Sequence, residues 1–129
     1  MRIVGHGIDI VETAQIRRLL SEHEDRFLSR CFTEAERAYS SDRRRWAEHF
    51  AGRFAAKEAI LKALGTGWVG GIAWTDAEIL REPSGAPRVQ LHGRCAAIAA
   101  ELGIDDWLVS ISHITTHATA SAIAVSNQV

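Results

Sequence analysis

The sequence predicts one α+β domain in which a mainly antiparallel sheet packs against a long central helix. Alternation of residue types with a period of two near both ends of the chain indicates strands, and a long run of helix-forming residues in the middle indicates the helix. With 129 residues, 47% of them hydrophobic and 24% charged, the chain has the composition of a globular protein. No repeat, low-complexity segment or linker divides it, so a single domain over residues 1–129 is expected.

Charge and cysteine content argue against several classes of protein. The net charge of -1 gives no general reason to bind nucleic acid or a membrane. No run of about 18 apolar residues occurs, and the first residues lack a long apolar core, so a soluble protein that is not exported is expected. Cys31 and Cys95 lie far apart without close partners, which predicts two buried thiols in a reducing cytoplasm rather than a zinc knuckle or a disulfide framework.

The first strand is expected over residues 2–10. Its alternation places Ile3, Gly5, Gly7 and Asp9 on one face. The two glycines leave space beside the acid, as happens where a ligand or another backbone comes close. Asp9 is therefore a candidate site residue, and the alternative for it is a helix N-cap or an ordinary surface acid.

Helices follow the first strand. From Thr13 the apolar residues recur at helical spacing, and a second apolar cluster lies at residues 27–32. Thr33 and Glu36 match a capping box, which predicts a short helix that ends near residues 40–42. The three arginines at 43–45 are interpreted as a solvated helix start or a contact for an acidic partner, since no aromatic ladder accompanies them.

The central helix begins near residues 43–46 and is expected to end at Gly65, in a Gly-Thr-Gly segment that can supply a left-handed C-cap. One stripe of this helix holds Ala47, Phe50, Phe54 and Leu61. Glu58 lies beside that stripe, where an ionised carboxylate is costly unless it is paired, hydrogen-bonded or bound to a metal. Both lysines of the chain, Lys57 and Lys62, lie in the same helix.

The second half of the chain predicts further strands and one helix. Residues 65–71 contain four glycines whose amides could cradle phosphate, although their spacing does not match nucleoside triphosphatases. One strand is expected over 72–74 and 76–81, with its hairpin partner at 88–91, and a helix is expected at 95–103. Two last strands cover 107–113, ending an apolar row at His113, and 118–125, where alternating alanines permit close approach by a helix or a neighbouring subunit.

Two acids and a glycine loop suggest a chemistry before any family is considered. An acid on an open strand face, an acid beside a helix stripe with lysines near it, and a glycine loop at the end of that helix suit a hard divalent cation shared with substrate phosphates. Magnesium typically takes one or two protein carboxylates and completes its shell with water and phosphate oxygens. Phosphoryl transfer is the function indicated, and structural ion pairs are the alternative.

Three motifs resemble those of holo-acyl-carrier-protein synthases in the 4'-phosphopantetheinyl transferase superfamily. They are Gly-Ile-Asp at 7–9, Arg-Phe-Ala-Ala-Lys-Glu-Ala-Ile-Leu-Lys-Ala-Leu-Gly-Thr-Gly at 53–67, and Val-Ser-Ile-Ser-His at 109–113. In this order they span nearly the whole chain. The resemblance implies the transferase fold and the transfer of 4'-phosphopantetheine from coenzyme A to a serine of apo-acyl carrier protein, with release of adenosine 3',5'-bisphosphate.

The same resemblance implies roles for individual residues. Asp9 and Glu58 would hold Mg2+ against the pyrophosphate of coenzyme A, and Lys62 would neutralise charge on the leaving diphosphate. The implied contacts of coenzyme A are Arg53, Lys57, Lys62, Gly65 and His113. The base that takes the serine proton stays open between Asp9, Glu58 and a water on the metal.

The resemblance also implies partners. Acyl carrier proteins are acidic, and Arg17, Arg18 and Arg26 on the first helix would meet them through complementary charge. Gln15 stands where relatives often carry a basic residue, which bears on the strength of docking rather than on the chemistry. Members of the family commonly form homotrimers with active sites between subunits. The carrier, whether of fatty-acid or polyketide synthesis, stays open.

Two other interpretations are available. In a binding module for acidic partners, Arg17, Arg18 and residues 43–45 would make the contact, and Glu58 would merely pair with Lys62 four residues later. Alternatively, His113 and His117 could share a face of a strand and begin a zinc site, although zinc normally takes three or four protein ligands.

Overall fold

The structure is a computed structural model and describes residues 1–41, 45–67 and 70–128. The chain forms strands and helices in the order β1 (Arg2–Glu12), α1 (Thr13–Cys31), α2 (Glu34–Ser41), α3 (Trp46–Leu64), β2 (Ala77–Arg81), β3 (Pro87–Leu91), α4 (Gly93–Glu101), β4 (Asp106–His113) and β5 (His117–Ser126). The predicted α+β class is confirmed. The predictions for Arg43, Arg44, Trp68 and Val69 lie outside the described residues.

All strand pairs are antiparallel, in two separate sheets. One sheet has the strand order β1-β5-β4, and the other is the hairpin of β2 and β3. The predicted strand at 72–74 is wrong, because Trp74–Asp76 form a single turn of 3-10 helix instead. The carboxylate of Asp76 accepts the N–H of Ala73, so local side-chain bonding competes with strand pairing there.

The long helix α3 is the centre of the molecule. It packs against β1, β4 and β5 on one side and against α1, α2 and β2 on others. The expected single apolar stripe is therefore wrong: residues such as Phe50, Ala55 and Ile60 are buried around most of the helix circumference. Glu58 is half-buried and Lys62 is exposed, so this helix meets water mainly along a narrow strip.

Glycines allow the backbone of α3 to touch β1. A Cβ atom placed on Gly5 would overlap the carbonyl oxygen of Ala63, and one on Gly7 would overlap the carbonyl oxygen of Ala59. The space predicted beside Asp9 is thus filled at these two positions by helix backbone rather than by a ligand. On the neighbouring strand β5, the alternating alanines Ala118–Ala124 are buried in the same core, so a helix covers them.

The opposite face of the three-stranded sheet is uncovered in one chain. Here Ile8 and Ile10 of β1 are 60% and 66% exposed, and Leu108 of β4 is 52% exposed. We call these three residues the outer sheet face. Branched aliphatic residues are seldom grouped on a surface that meets only water.

Local signals in the helical region agree with the structure. The two apolar clusters at 16–20 and 27–32 belong mostly to one helix, α1, which is kinked at His23. The capping box is confirmed, because the N–H of Thr33 donates to Oε1 of Glu36 at 2.9 Å and the N–H of Glu36 donates to Oγ1 of Thr33 at 3.3 Å. Cys31 and Cys95 are free and buried, as predicted. Within the described ranges, no helix has the length and apolar character needed to cross a membrane.

Candidate active site

Asp9 and Lys62 meet at the contact between β1 and α3. Nζ of Lys62 donates to Oδ1 of Asp9 at 3.1 Å and to the carbonyl oxygen of Ile8 at 2.9 Å. The Lys62 side chain is 54% exposed and that of Asp9 is 20% exposed, so water reaches both charges. Such an ion pair adds little to folding stability, but it remains accessible to a charged ligand.

Glu58 lies on the same face of α3 as Lys62. It lies one helical turn before Lys62, and residues four apart share a face of a helix. The α3 residue that lies against β1 is Ala63 at Gly5 and Ala59 at Gly7. A step of two residues forward along β1 therefore corresponds to a step of four residues backward along α3. Continued by two more strand residues, the same step would bring Asp9 beside the turn at residues 55–58, since two strand residues and four helix residues advance by similar lengths.

The donor set here suits magnesium. Asp9 and Glu58 are partly buried carboxylates from different elements, and Mg2+ commonly takes one or two protein carboxylates. The described part of the chain has no group of three or more histidine, cysteine or acidic residues able to hold a metal by themselves. A cation at this contact would therefore be completed by water and substrate oxygens rather than by an all-protein cage.

Gly65 ends α3 as predicted. Its φ of 77° is left-handed, and its N–H donates to the carbonyl oxygens of Leu61 and Lys62. A side chain there would be strained, but it would meet no atom of the described residues within 4 Å. Lys62 in the last helical turn also faces the negative end of the helix dipole, which favours its charge.

A second cluster of charges lines a cavity of about 130 Å³ between α3, the β2–β3 hairpin and β4. Arg53 and Arg81 line it, and both guanidinium groups lie over the ring of Tyr39, with Cζ 4.4 Å and 4.5 Å from the ring centroid. Stacking of this kind orients arginine side chains by cation–π attraction. Arg53, a predicted phosphate contact, is thus mostly buried but borders the cavity.

His113 borders the same cavity. Its Nδ1 lies 2.8 Å from Oε1 of Glu48, an almost fully buried acid in the first turn of α3. His117, in contrast, bonds through Nδ1 to the hydroxyl of its neighbour Thr116. The two histidines therefore have separate partners, which gives the zinc interpretation no support.

Sequence reasoning missed Glu48, Arg81 and Tyr39. A signal for Glu48 was present, because it lies four residues before Gly52, a glycine in a helix where close approach was to be expected. A Cβ atom on Gly52 would lie 2.9 Å from Cγ2 of Ile111. Since His113 follows Ile111 by two residues on the same strand face, the helix side that carries Gly52 also brings Glu48 to His113.

Lys57 does not fit its predicted role. Its ammonium is fully buried and donates to Oε1 of Glu36 at 2.9 Å and to the carbonyl oxygens of Trp74 and Ala77 at 3.1 Å and 2.7 Å. Burial lowers the pKa of Lys57, and the neighbouring charge of Glu36 opposes that shift. All three protons have acceptors inside the protein, so Lys57 has no donor to offer a phosphate and its role is structural.

The docking arginines are exposed on α1. Arg17 and Arg18 lie before the kink and Arg26 lies after it. Arg26 also borders a shallow groove with Leu19 and Phe27. Their assignment to an acidic partner stays a prediction.

Known proteins resemble this chain over almost its whole length. A family model described as the 4'-phosphopantetheinyl transferase superfamily matches residues 5–120. The holo-[acyl-carrier-protein] synthase of Koribacter versatilis is 46% identical over 121 residues, which cover 94% of this chain and 97% of that protein. That of Moorella thermoacetica is 47% identical, covering 94% of this chain and 93% of that protein. A crystal structure of a holo-(acyl-carrier-protein) synthase from Bacillus anthracis in complex with CoA (3',5'-ADP) is similar with a TM-score of 0.79 at 35% identity, covering 97% of this chain and 98% of that chain.

Proposed function

The chain belongs to the 4'-phosphopantetheinyl transferase superfamily, and from this premise we propose that it is a holo-acyl-carrier-protein synthase. It transfers 4'-phosphopantetheine from coenzyme A to a serine of apo-acyl carrier protein, with Mg2+, and releases adenosine 3',5'-bisphosphate. The observation that carries this proposal is the Asp9–Lys62 contact, which brings a partly exposed acid and an exposed ammonium together, with Glu58 one helical turn before Lys62.

At this contact, Asp9 and Glu58 would hold Mg2+, which when bound supplies positive charge to the pyrophosphate of coenzyme A. Lys62 provides the other positive charge. Its ammonium is exposed and lies against Asp9, so it is placed to neutralise charge on the leaving diphosphate. Because no atom of the described residues lies within 4 Å of a Cβ position on Gly65, the described part of the chain leaves room for the diphosphate at the end of α3.

The cavity between α3 and β4 is the proposed site for a phosphate of coenzyme A. Arg53, Arg81 and His113 supply three basic groups along its wall. Arg53 and Arg81 are already oriented by Tyr39, so little side-chain entropy is lost when they bind an anion. Lys57 is not part of this proposal, since its donors are used within the core.

The remaining catalytic task is positioning. Attack of a serine hydroxyl on a phosphoryl group is accelerated mainly by alignment and by stabilisation of charge. The proton of the hydroxyl passes to Asp9, to Glu58 or to water held at the same contact. Both carboxylates are partly exposed, so either can exchange that proton with solvent.

Partners and assembly are also proposed. The exposed Arg17, Arg18 and Arg26 dock the acidic carrier protein. A homotrimer would bury the outer sheet face of Ile8, Ile10 and Leu108 and place sites between subunits. The two free, buried cysteines support a cytoplasmic location, because thiols stay reduced in the cytoplasm.

Mass spectrometry of a carrier protein tests the function directly. Apo-acyl carrier protein is incubated with coenzyme A, Mg2+ and the purified protein, and the mass increase of one phosphopantetheine group is expected. Chelation of Mg2+, and separately Glu58→Gln, should abolish the increase while circular dichroism shows an intact fold. No increase with folded wild type across several carrier proteins would refute the assignment.

A further inference from the structure

Glu48 is a buried acid that contacts the histidine of the cavity. Its side chain is 4% exposed, and Oε1 lies 2.8 Å from Nδ1 of His113. A carboxylate only accepts hydrogen bonds, so the nitrogen that faces it must carry the proton. Nε2 is then the nitrogen of His113 left for a ligand in the cavity.

The carboxylate is held from two directions. Nε of Arg45 lies 3.7 Å from Oε2 of Glu48, three residues along the chain. Close packing of Gly52 on Ile111 fixes the spacing of α3 and β4 at the next helical turn. The Glu48–His113 contact therefore lies beside the close α3–β4 packing that Gly52 permits.

We propose that Glu48 is the positioning residue of His113. It fixes the orientation of the ring so that Nε2 faces a phosphate in the cavity, and a ring that carries protons on both nitrogens can donate from Nε2 to that phosphate. The inference rests on the proposed function, because the phosphate is one of coenzyme A. Other charged or titratable groups around the ring are His49, whose centroid lies 5.7 Å away, and the cavity residues Arg53 and Arg81.

Glu48 lies in the wall of the cavity beside the basic groups that would meet the phosphate. It is nearly inaccessible, so it acts through His113 rather than on the phosphate. A direct carboxylate contact would in any case repel an anion. Removing its charge should therefore weaken coenzyme A binding and leave the chemical step almost unchanged.

A double-mutant cycle tests this coupling. Glu48→Gln, His113→Ala and the double variant are compared with wild type for kcat and for KM of coenzyme A. Each single change should raise KM about tenfold, with kcat kept within about twofold, and the double variant should be no worse than His113→Ala. Glu101→Gln, an exposed acid at the end of α4, is the matched control and should leave KM unchanged. Multiplying effects in the double variant, or an unchanged KM for Glu48→Gln, would overturn the proposal.

A spectroscopic readout separates this inference from the proposed function. Imidazole ¹⁵N shifts of wild type should show His113 protonated at Nδ1, and in Glu48→Gln this preference for Nδ1 should be lost. Because the wild-type spectrum needs neither activity nor a stable variant, a wild-type His113 protonated only at Nε2 overturns the inference by itself. Wild type that lacks transfer activity but shows the expected tautomer would refute the function and leave the Glu48–His113 contact in place.

Discussion

Nζ of Lys57 lies 2.9 Å from Oε1 of Glu36, and both side chains are fully shielded from water. The same ammonium bonds to the carbonyl oxygen of Ala77, and Oε2 of Glu36 accepts the N–H of Ile79. One buried ion pair thus ties α2, α3 and β2 together. These three elements also supply Tyr39, Arg53 and Arg81, so the pair fixes the framework of the arginine–tyrosine stack beside the cavity.

Lys57→Met should lower the free energy of unfolding by about 3–5 kcal/mol, because it leaves the carboxylate of Glu36 buried without its countercharge. Urea unfolding followed by circular dichroism measures the loss. Since small domains have about 5–15 kcal/mol in total, the variant should remain folded at low temperature with a much reduced midpoint.

The control for this change is Lys57→Met combined with Glu36→Gln. Glutamine keeps one acceptor, for the N–H of Thr33 or of Ile79, and removes the unpaired charge. The double variant should therefore be more stable than Lys57→Met alone. Equal stability of the two would show that the lone charge is not what destabilises the single variant.

Gly7→Ala should destabilise the protein by about 1–3 kcal/mol or more, because the new methyl group overlaps the carbonyl oxygen of Ala59 and forces β1 away from α3. Transfer activity should fall as well, since Asp9 follows on the same strand face. Gly70→Ala is the control: its methyl group meets no atom of the described residues within 4 Å, and stability should change little. Thermal melts of both variants decide the matter, and equal melting temperatures would contradict close contact at Gly7.

Asp9→Asn and Lys62→Met should separate function from stability. Their ion pair is partly solvated, so either change should alter the free energy of unfolding by no more than about 1 kcal/mol. The transfer rate should fall about 100-fold or more, because each group stabilises charge at the proposed reaction centre. Urea unfolding and the carrier-modification assay measure the two quantities. Near-normal rates in both variants would remove this contact from the mechanism.

Stability should fall as pH rises from about 9 to about 11. Burial raises the pKa of the Cys31 and Cys95 thiols from 9.0 to about 11, so the unfolded chain loses these protons before the native protein does. With fewer protons bound in the unfolded state, the free energy of unfolding decreases with pH across this window. Urea unfolding over the pH series should show a shallower decline in the Cys31→Ala/Cys95→Ala variant. An identical slope would mean that the thiols titrate normally in the native protein.

Much of the local structure could be predicted from residues close in the sequence. The capping box of Thr33 and Glu36 and the C-cap at Gly65 depend on partners three or four residues away, and both are confirmed. The strand at 72–74 could not be judged in this way, because the Asp76 carboxylate supplies an alternative bond to the backbone. Periodicity also could not show that α3 is buried on most sides, since that depends on how many elements surround it.

By itself the sequence determined the α+β class, the order of the elements and the candidate acids Asp9 and Glu58 with Lys62. Only the tertiary structure decided which charges meet. Lys57 contacts Glu36, which is 21 residues away in the sequence, and Glu48 contacts His113, which is 65 residues away. Residue type and spacing determine which face of an element a side chain occupies, but the partner of that face is chosen by long-range packing. For this reason the two lysines of α3 lie in different environments. Lys57 is buried in the core, whereas Lys62 is exposed and faces the proposed substrate.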